Sequence, residues 1–476
     1  MELELRINGM IKSLNVAPNE SLMTVLRREG YFSVKHGCET GECGACTVLV
    51  DDVPRPSCVT LAAQAGGCTL TTVESLGTAR QLHPLQEAFI DTGAIQCGFC
   101  TPGMLLSAYA LLKQNPRPTE DEVRDALSGN LCRCTGYVKP VEAILRAAAV
   151  MNGETIEPIS SPVSTENDQP WNPGRSPLEH VGVSTPEHKK EYSGDGDNTA
   201  TFAGTCVDND LTVVGKPERK VDGIKLVTGK PAFADDIELR GMLHGRLLTS
   251  PHAHAIILDL DVSEARSLPG VHAVLTYTDV PRVVHTSAAQ SWLEAGPHDQ
   301  YTLDNRVRFV GDRVAAVAAE TPEIAEQALS LIHVEYEVLP ALLDPRKAME
   351  PGAPCLHPEP ESYQIYDASR NIAAHIEAGV GNVAHGFAES DLVIEGEYIV
   401  AQVQQAPIEN HIVITYWDED DRLVVRTSTE APYYVRRIIA PRIGLPPRGI
   451  RVITPRTGRS FGVKQEVLLE DICALL

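Results

Sequence analysis

Residues 2–16 alternate apolar and polar side chains around Asn8-Gly9. Period two broken by that dipeptide predicts a β-hairpin, because the turn needs both central residues at positive φ. Strand-like runs follow at Thr47–Val50 and Leu70–Val73, so the chain opens on a small, mostly β unit. From about His83 the period changes: Pro102 through Leu112 is apolar in the helical manner, and Thr119-Glu-Asp-Glu122 is a capping box ahead of Val123, Ala126 and Leu127. Pro140 to Val150 adds a helix with its proline in the tolerated first turn, and residues 80–150 predict a helical bundle. Residues 153–205, rich in Pro, Ser, Asn, Asp and Gly, predict a linker. Beyond it, strand candidates at Leu211–Val214, Ala255–Leu260, Val271–Leu275 and Ile332–Val338 interleave with a helix at Thr321–Leu331, a mixed α/β pattern to about residue 345. A further α/β segment has strands expected at Leu392–Val400, Ile412–Trp417, Leu423–Thr427 and Ile450–Ile453, a helix at Tyr433–Ile443, and a last helix beginning near Glu466.

A chain of 476 residues is too long for one ordinary core and implies roughly three domains or more. Its formal net charge of -23 would repel a phosphate backbone, which argues against nucleic acid and anionic membranes as partners. The start alternates charged and apolar groups, unlike a signal peptide, and no stretch approaches the roughly 20 apolar residues of a membrane helix. A cytoplasmic protein is therefore expected. There thiols stay reduced, so clustered cysteines point to metal ligation before disulfides.

Eight of the 12 cysteines fall into two compact sets. Cys38-x4-Cys43-x2-Cys46 with Cys58 has plant-type ferredoxin spacing, in which four thiolates converge on a [2Fe-2S] cluster. Gly37, Gly41 and Gly44 suit a loop whose amides approach inorganic sulfide. A zinc knuckle is the competing reading, although it usually shows two short Cys arms. The second set, Cys97-x2-Cys100 with Cys132-x-Cys134, fits a second cluster held between helices, half of a zinc site, or a redox Cys-x-x-Cys. Cys68, Cys206, Cys355 and Cys473 are scattered and read as small apolar residues.

Taken together, Gly37-Cys-Glu-Thr-Gly-Glu-Cys-Gly-Ala-Cys46, Gln96-Cys-Gly-Phe-Cys-Thr-Pro-Gly103 and Asn130-Leu-Cys-Arg-Cys-Thr-Gly-Tyr137 resemble the xanthine dehydrogenase and aldehyde oxidoreductase family of molybdenum hydroxylases. Val214–Gly223 with Thr228–Asp236 resembles the start of that family's hammerhead domain. Gln402–His411, Ser428–Pro432 and the Gly458-Arg-Ser-Phe-Gly-Val-Lys464 loop resemble its first lobe around the cofactor. The resemblance implies a multidomain α+β protein. A β-grasp ferredoxin-like domain would span 1–76 and a four-helix-bundle [2Fe-2S] domain 77–152. The linker would span 153–210, an α/β hammerhead domain 211–345, and a partial molybdopterin-binding α/β lobe 346–476.

It further implies two [2Fe-2S] clusters on the eight cysteines and a molybdopterin cofactor contacted by Gln96, Cys134, Gly458, Arg459, Ser460, Phe461 and Gly462. Electrons would run from molybdenum through the second set and then the first to an external acceptor, with a small aldehyde or N-heterocycle oxidised by water-derived oxygen. About fifty linker residues are too few for an FAD fold, and no Gly-x-Gly-x-x-Gly follows a strand. No FAD is therefore expected in this chain, and an FAD subunit or soluble carrier would take the electrons. The family's catalytic glutamate is not in this sequence, so no catalytic residue is assigned here and a complementary molybdenum-binding subunit is expected to supply the rest of the pocket. Arg459 and Ser460 stand where the family commonly has glycines, and added side chains there can obstruct close approach of backbone to cofactor. Gln465 replaces the purine-binding Glu of xanthine-oxidising members, and Glu430 stands where Gln is usual. The rival reading is an electron-transfer or assembly subunit that docks a catalytic molybdenum subunit without binding the cofactor.

Overall fold

The computed structural model describes residues 1–157, 218–286 and 296–476. The expected hairpin is β1 (Glu2–Ile7) and β2 (Met10–Asn15), paired with Ile7 opposite Met10. Its turn residues Asn8 and Gly9 sit at φ 51° and 82°, as the sequence demands. Leu3, Leu5 and Ile7 point into the core from alternate positions. Across them lies α1 (Leu22–Arg28), which Ser21 caps and which buries Leu22, Met23, Val25 and Leu26. Strands β3 (Thr47–Val50), β4 (Val53–Pro56) and β5 (Thr69–Thr71) complete a five-stranded sheet of order β2-β1-β5-β3-β4, in which only β1 and β5 run parallel. The expected strand Leu70–Val73 stops at Thr71: Asn8 bonds both the amide and the hydroxyl of Thr72, and Val73 opens a 3-10 turn.

Four helices follow: α2 (Pro84–Asp91), α3 (Thr101–Gln114), α4 (Glu120–Leu127) and α5 (Val138–Met151). The capping box on α4 forms, with Thr119 accepting from the Glu122 amide and Glu122 reaching back to the Thr119 amide. One core joins these helices to Cys43, Ala45 and Leu49 of the preceding domain and to Leu226, Val227 and Phe233 of the next. The cysteine-bearing domains are thus fused, and the second half of the chain is clamped onto them. Most of the expected linker, Cys206 and the Leu211–Val214 strand lie outside the described residues.

The next domain contains α6 (Gly223–Val227), β6 (His244–Thr249), β7 (Ala255–Asp261), α7 (Ser263–Ser267), β8 (Val271–Leu275), β9 (Arg306–Val307), β10 (Arg313–Ala319), α8 (Pro322–Ser330), β11 (His333–Val338) and α9 (Pro345–Ala348). Its strands form two three-stranded sheets, β6-β10-β8 and β11-β7-β9. The C-terminal lobe has α10 (Val383–Glu389), β12 (Val413–Trp417), β13 (Leu423–Thr427), α11 (Pro432–Arg442), β14 (Ile450–Ile453) and α12 (Glu470–Leu475), with β12-β13-β14 as its sheet and β13 parallel to β14. Two expectations fail here. Leu392–Val400 is not a strand, because no described segment supplies a ladder partner and its side chains stay exposed. The last helix starts at Glu470, not near Glu466, because the Glu470 carboxylate folds back to accept the amides of Leu468 and Leu469 and sets the first turn there.

Helix α12 is tied to its surroundings by charge as well as packing. Asp471 is fully buried and accepts from Arg442 (2.8 Å), Arg313 (3.1 Å) and Thr302 (2.9 Å). Burial alone would raise its pKa, but the two guanidinium groups outweigh that and hold it at about 2, below the ordinary 3.8. A depressed carboxylate pKa contributes stability that is complete above the unfolded value and vanishes as pH falls through the folded one. About 2 kcal/mol should therefore be lost as pH falls from about 4 to about 2. Acid unfolding followed by circular dichroism should show that loss in the native protein and a flatter profile in Asp471→Asn.

Candidate functional site

The first cysteine set occupies the loop between α1 and β3, closed by Cys58 just after β4. Three left-handed residues, Glu39 (φ 58°), Gly41 (φ 82°) and Gly44 (φ 65°), curl this loop back on itself. The Cys43 amide consequently donates to Cys38 Sγ at 3.4 Å. Burial would raise Cys38, but Thr40 and the Thr40 and Cys43 amides bring it down to about 6, within reach of thiolate chemistry. Burial and neighbouring Cys46 push Cys58 the other way. The set thus folds as two pairs, Cys38 with Cys43 and Cys46 with Cys58.

Cys100 caps α3, Cys97 precedes it, and Cys132 and Cys134 lie in the α4–α5 loop. Cys134 Sγ touches Cys97 Sγ at 3.7 Å, and Cys132 contacts both Cys100 and Cys134. The Thr135 hydroxyl donates to Cys132 Sγ (3.2 Å), and the Cys132 amide donates to Tyr137 Oη (2.9 Å). Every described cysteine is free. Among the described residues no three His, Cys, Asp or Glu side chains converge on one point. Two irons bridged by sulfide take two thiolates each, four in all, the number of cysteines in each set.

The two sets are joined by a tight backbone junction. Leu131, beside Cys132, donates its amide to the Cys43 carbonyl at 2.8 Å. Asn130, buried, donates to the Gly44 carbonyl (3.0 Å) and accepts from Ser107 Oγ (2.6 Å).

The 458–462 loop meets the second set. Gln96 donates to the Cys134 carbonyl (2.9 Å) and accepts from Arg459 Nη2 (3.0 Å), so three residues singled out from sequence converge. Arg459 (φ 68°), Phe461 (φ 53°) and Gly462 (φ 107°) give the loop its curl. The Ser460 side chain turns inward, fully buried, and its Oγ accepts the amides of Gly462 (3.1 Å) and Lys464 (2.9 Å). Gly458 has no room for a side chain, since a Cβ would lie 2.4 Å from Glu409 Cβ.

Residues outside the expected set hold this loop in place. Buried Glu409 accepts from the Gly458 amide (2.5 Å) and from Lys464 Nζ (2.6 Å), while its Oε1 has no protein donor. That acceptor fits a donor-rich ring system such as a pterin. Asn410 donates to the Gly37 carbonyl (2.8 Å) of the first cysteine loop. Arg456 donates to the carbonyls of Gln96 and Cys97 (both 2.8 Å), pairs with Asp222, and receives its position from the Ala232 carbonyl through its own amide. Glu409 and Asn410 lie in a segment whose motif stood out, whereas Arg456 carries no local signal.

Residues 5–70 match the 2Fe-2S iron-sulfur cluster binding domain and residues 72–145 the [2Fe-2S] binding domain. Residues 228–340 match the aldehyde oxidase and xanthine dehydrogenase a/b hammerhead domain, and residues 365–476 the molybdopterin cofactor-binding domain. The nicotinate dehydrogenase small FeS subunit of Eubacterium barkeri is 48% identical over 31% of this chain and 93% of its own. This chain belongs to the xanthine dehydrogenase and aldehyde oxidoreductase family of molybdenum hydroxylases. Its family relatives include the probable hypoxanthine oxidase XdhD of Escherichia coli, 34% identical over 100% of this chain and 48% of that one. Among solved structures, the aldehyde oxidoreductase from Desulfovibrio gigas superposes with a TM-score of 0.79 at 28% identity, over 100% of this chain and 48% of that one. The chain thus spans about half the length of these full-coverage relatives. It contains the two [2Fe-2S]-binding domains and a molybdopterin-binding domain typical of these hydroxylases. Among the described residues no helix is long and apolar enough to cross a membrane.

Against the family pattern, the two departures Glu430 and Gln465 turn out to be neighbours. Gln465 Nε2 donates to Glu430 Oε2 at 3.3 Å, and Glu430 is exposed beside the loop. The pair keeps one carboxylate and one amide at this place.

Proposed function

We propose that this chain supplies the electron-transfer part and one wall of the molybdenum pocket in an enzyme that hydroxylates a small N-heterocycle with oxygen taken from water. Cys38, Cys43, Cys46 and Cys58 hold one [2Fe-2S] cluster; Cys97, Cys100, Cys132 and Cys134 hold the other. Gln96, the Cys134 backbone and the Gly458–Gly462 loop hold the pterin. When bound, the molybdenum centre supplies two-electron oxidation and the clusters supply one-electron transfer. The observation that carries this reading is the contact of Gln96 with both the Cys134 carbonyl and Arg459, which brings a cluster-binding loop and the cofactor loop to one place.

The chain's own residues orient and anchor. Lys464 and Glu409 fix the loop from beneath, and Arg456 fixes it to the backbone of Gln96 and Cys97. Glu430 offers a carboxylate to a ring N–H, which supports an N-heterocycle over an aldehyde. The name of one relative also points to an N-heterocycle: the small subunit of nicotine 6-hydroxylase is 51% identical over 31% of this chain. Separate small FeS and large molybdopterin subunits in nicotinate dehydrogenase support a complementary molybdenum-binding subunit here, with an FAD subunit or soluble carrier accepting electrons.

The purified assembly should contain about four iron and about four acid-labile sulfide per chain, and Cys97→Ser should remove about half of each. Turnover should favour N-heterocycles over aldehydes, with Glu430→Gln narrowing that preference. Pterin bound wholly by another chain would sink the proposal in favour of a docking subunit, and a native preference for aldehydes would overturn the substrate assignment.

A further inference from the structure

Thr135 lies in the turn that leads from the second cysteine set into α5. The Tyr137 amide donates to Thr135 Oγ1 at 3.2 Å, which leaves the hydroxyl's own proton to point at Cys132 Sγ, also 3.2 Å away. Tyr137 braces the same turn from its other end: the Cys132 amide donates to its phenol oxygen at 2.9 Å, and the phenol donates to the Asn130 carbonyl at 3.4 Å. Gly136 and Tyr137 are both left-handed, at φ 61° and 67°. A non-glycine residue keeps that conformation only where its surroundings over-determine it, and such places gather at functional sites. Here the Tyr137 side chain packs on the core of the helical domain, and its carbonyl accepts the Val141 amide of α5. The Thr135 hydroxyl is therefore a fixed donor to a cysteine sulfur rather than a free surface rotor.

We propose that Thr135 is a positioning residue for electron transfer: its hydroxyl, donated to Cys132 Sγ, raises the reduction potential of the cluster held by Cys97, Cys100, Cys132 and Cys134. The proposal rests on the two-cluster reading above. Reduction brings one electron into the iron pair, and the added negative charge spreads onto the thiolates. No bond to Thr135 forms or breaks, and the hydroxyl keeps its proton throughout. A hydrogen bond strengthens as its acceptor gains negative charge, so the reduced form gains more from Thr135 than the oxidised form does. Hydrogen bonds to the sulfurs are among the levers that set such potentials. The effect is confined to the second set, because both hydrogen bonds of the Thr135 hydroxyl stay within residues 132–137. The first cluster is thus an internal reference. An easier reduction of the second cluster makes transfer into it from molybdenum more favourable.

A redox titration of the full chain in its purified assembly, followed by electron paramagnetic resonance, tests this, with the signal that Cys97→Ser removes assigned to the second cluster. In Thr135→Val the ratio of reduced to oxidised second cluster at a fixed ambient potential should fall about ten-fold, about 59 mV for a one-electron couple, while the first cluster stays where it was. Thr135→Ser keeps the hydroxyl and should restore the native value. An unshifted second cluster in a Thr135→Val protein of full iron content overturns the proposal, and so does a Thr135→Ser protein shifted as far as Thr135→Val. Should the valine variant lose iron, the native protein still decides. Electron–nuclear double resonance in light and heavy water should show an exchangeable proton strongly coupled to the reduced second cluster, and the absence of that proton overturns the proposal. Two clusters present with the potential unmoved leave the functional reading intact. A chain that carries no second cluster, with nothing for Cys97→Ser to remove, overturns both.

Discussion

Lys464→Ala is expected to destabilise the C-terminal lobe by about 3–5 kcal/mol, the usual result of leaving one member of a buried ion pair alone. Both members are fully buried, with Lys464 Nζ 2.6 Å from Glu409 Oε2 and 3.1 Å from the Asn410 carbonyl. Burial pushes Lys464 down and Glu409 up, so each depends on the other to stay charged. Without the ammonium, the fully buried Glu409 carboxylate keeps one donor, the Gly458 amide. The backbone of Lys464 is also engaged, its amide by Ser460 and its carbonyl by the Glu430 amide and Thr429 hydroxyl. Disturbance should therefore travel into the 458–462 loop. Thermal unfolding should show the loss, and molybdenum content of the assembled enzyme should fall with it. Lys464→Met combined with Glu409→Leu should recover much of the stability, because no buried charge is left unpaired, yet not the molybdenum content. A Lys464→Ala protein that melts like the native one rules out a structural role for the pair.

The parts of this architecture that were legible in the sequence are those whose cause is local. Asn8-Gly9 sets its own turn, and Thr119 and Glu122 cap their own helix. Strand 392–400 was read from its apolar, β-branched run, but such a run states only what a segment would bury. Whether it does depends on a ladder partner, which no described residue provides. The start of α12 shifted by a side chain folding back on two amides, a choice that hydrophobic period does not record. Arg456 was invisible for a related reason: the carbonyls it holds belong to residues 359 and 360 positions earlier. The Glu430 and Gln465 departures each looked like an isolated mismatch because their contact spans 35 positions.

The other large effect is expected at the junction between the cysteine-bearing domains. Gly44→Ala should open it. Gly44 sits at φ 65°, where an L-residue costs about 1–2 kcal/mol, but strain is the smaller part. A Cβ there would lie 2.0 Å from the Gly129 carbonyl oxygen and 2.7 Å from Asn130 Nδ2, and Gly103 has the same problem against the Gly44 carbonyl at 2.4 Å. Three backbones therefore meet without side chains between them. Moving them apart breaks the Asn130 bond to Gly44 and the Leu131 bond to Cys43, and leaves buried Asn130 short of an acceptor at about 1–3 kcal/mol. Gly67→Ala is the control, since Gly67 has φ 78° with nothing within 4 Å of a Cβ and should cost only the conformational part. Gly44→Ala should lower the melting temperature well beyond Gly67→Ala, and the magnetic coupling between the two reduced clusters should weaken as their loops separate. Equal losses in the two variants would mean that the close approach is not what Gly44 is for. A larger loss at Gly44 with unchanged coupling would confine its role to stability, and a larger loss with weakened coupling would make this glycine the residue that sets the distance between the clusters.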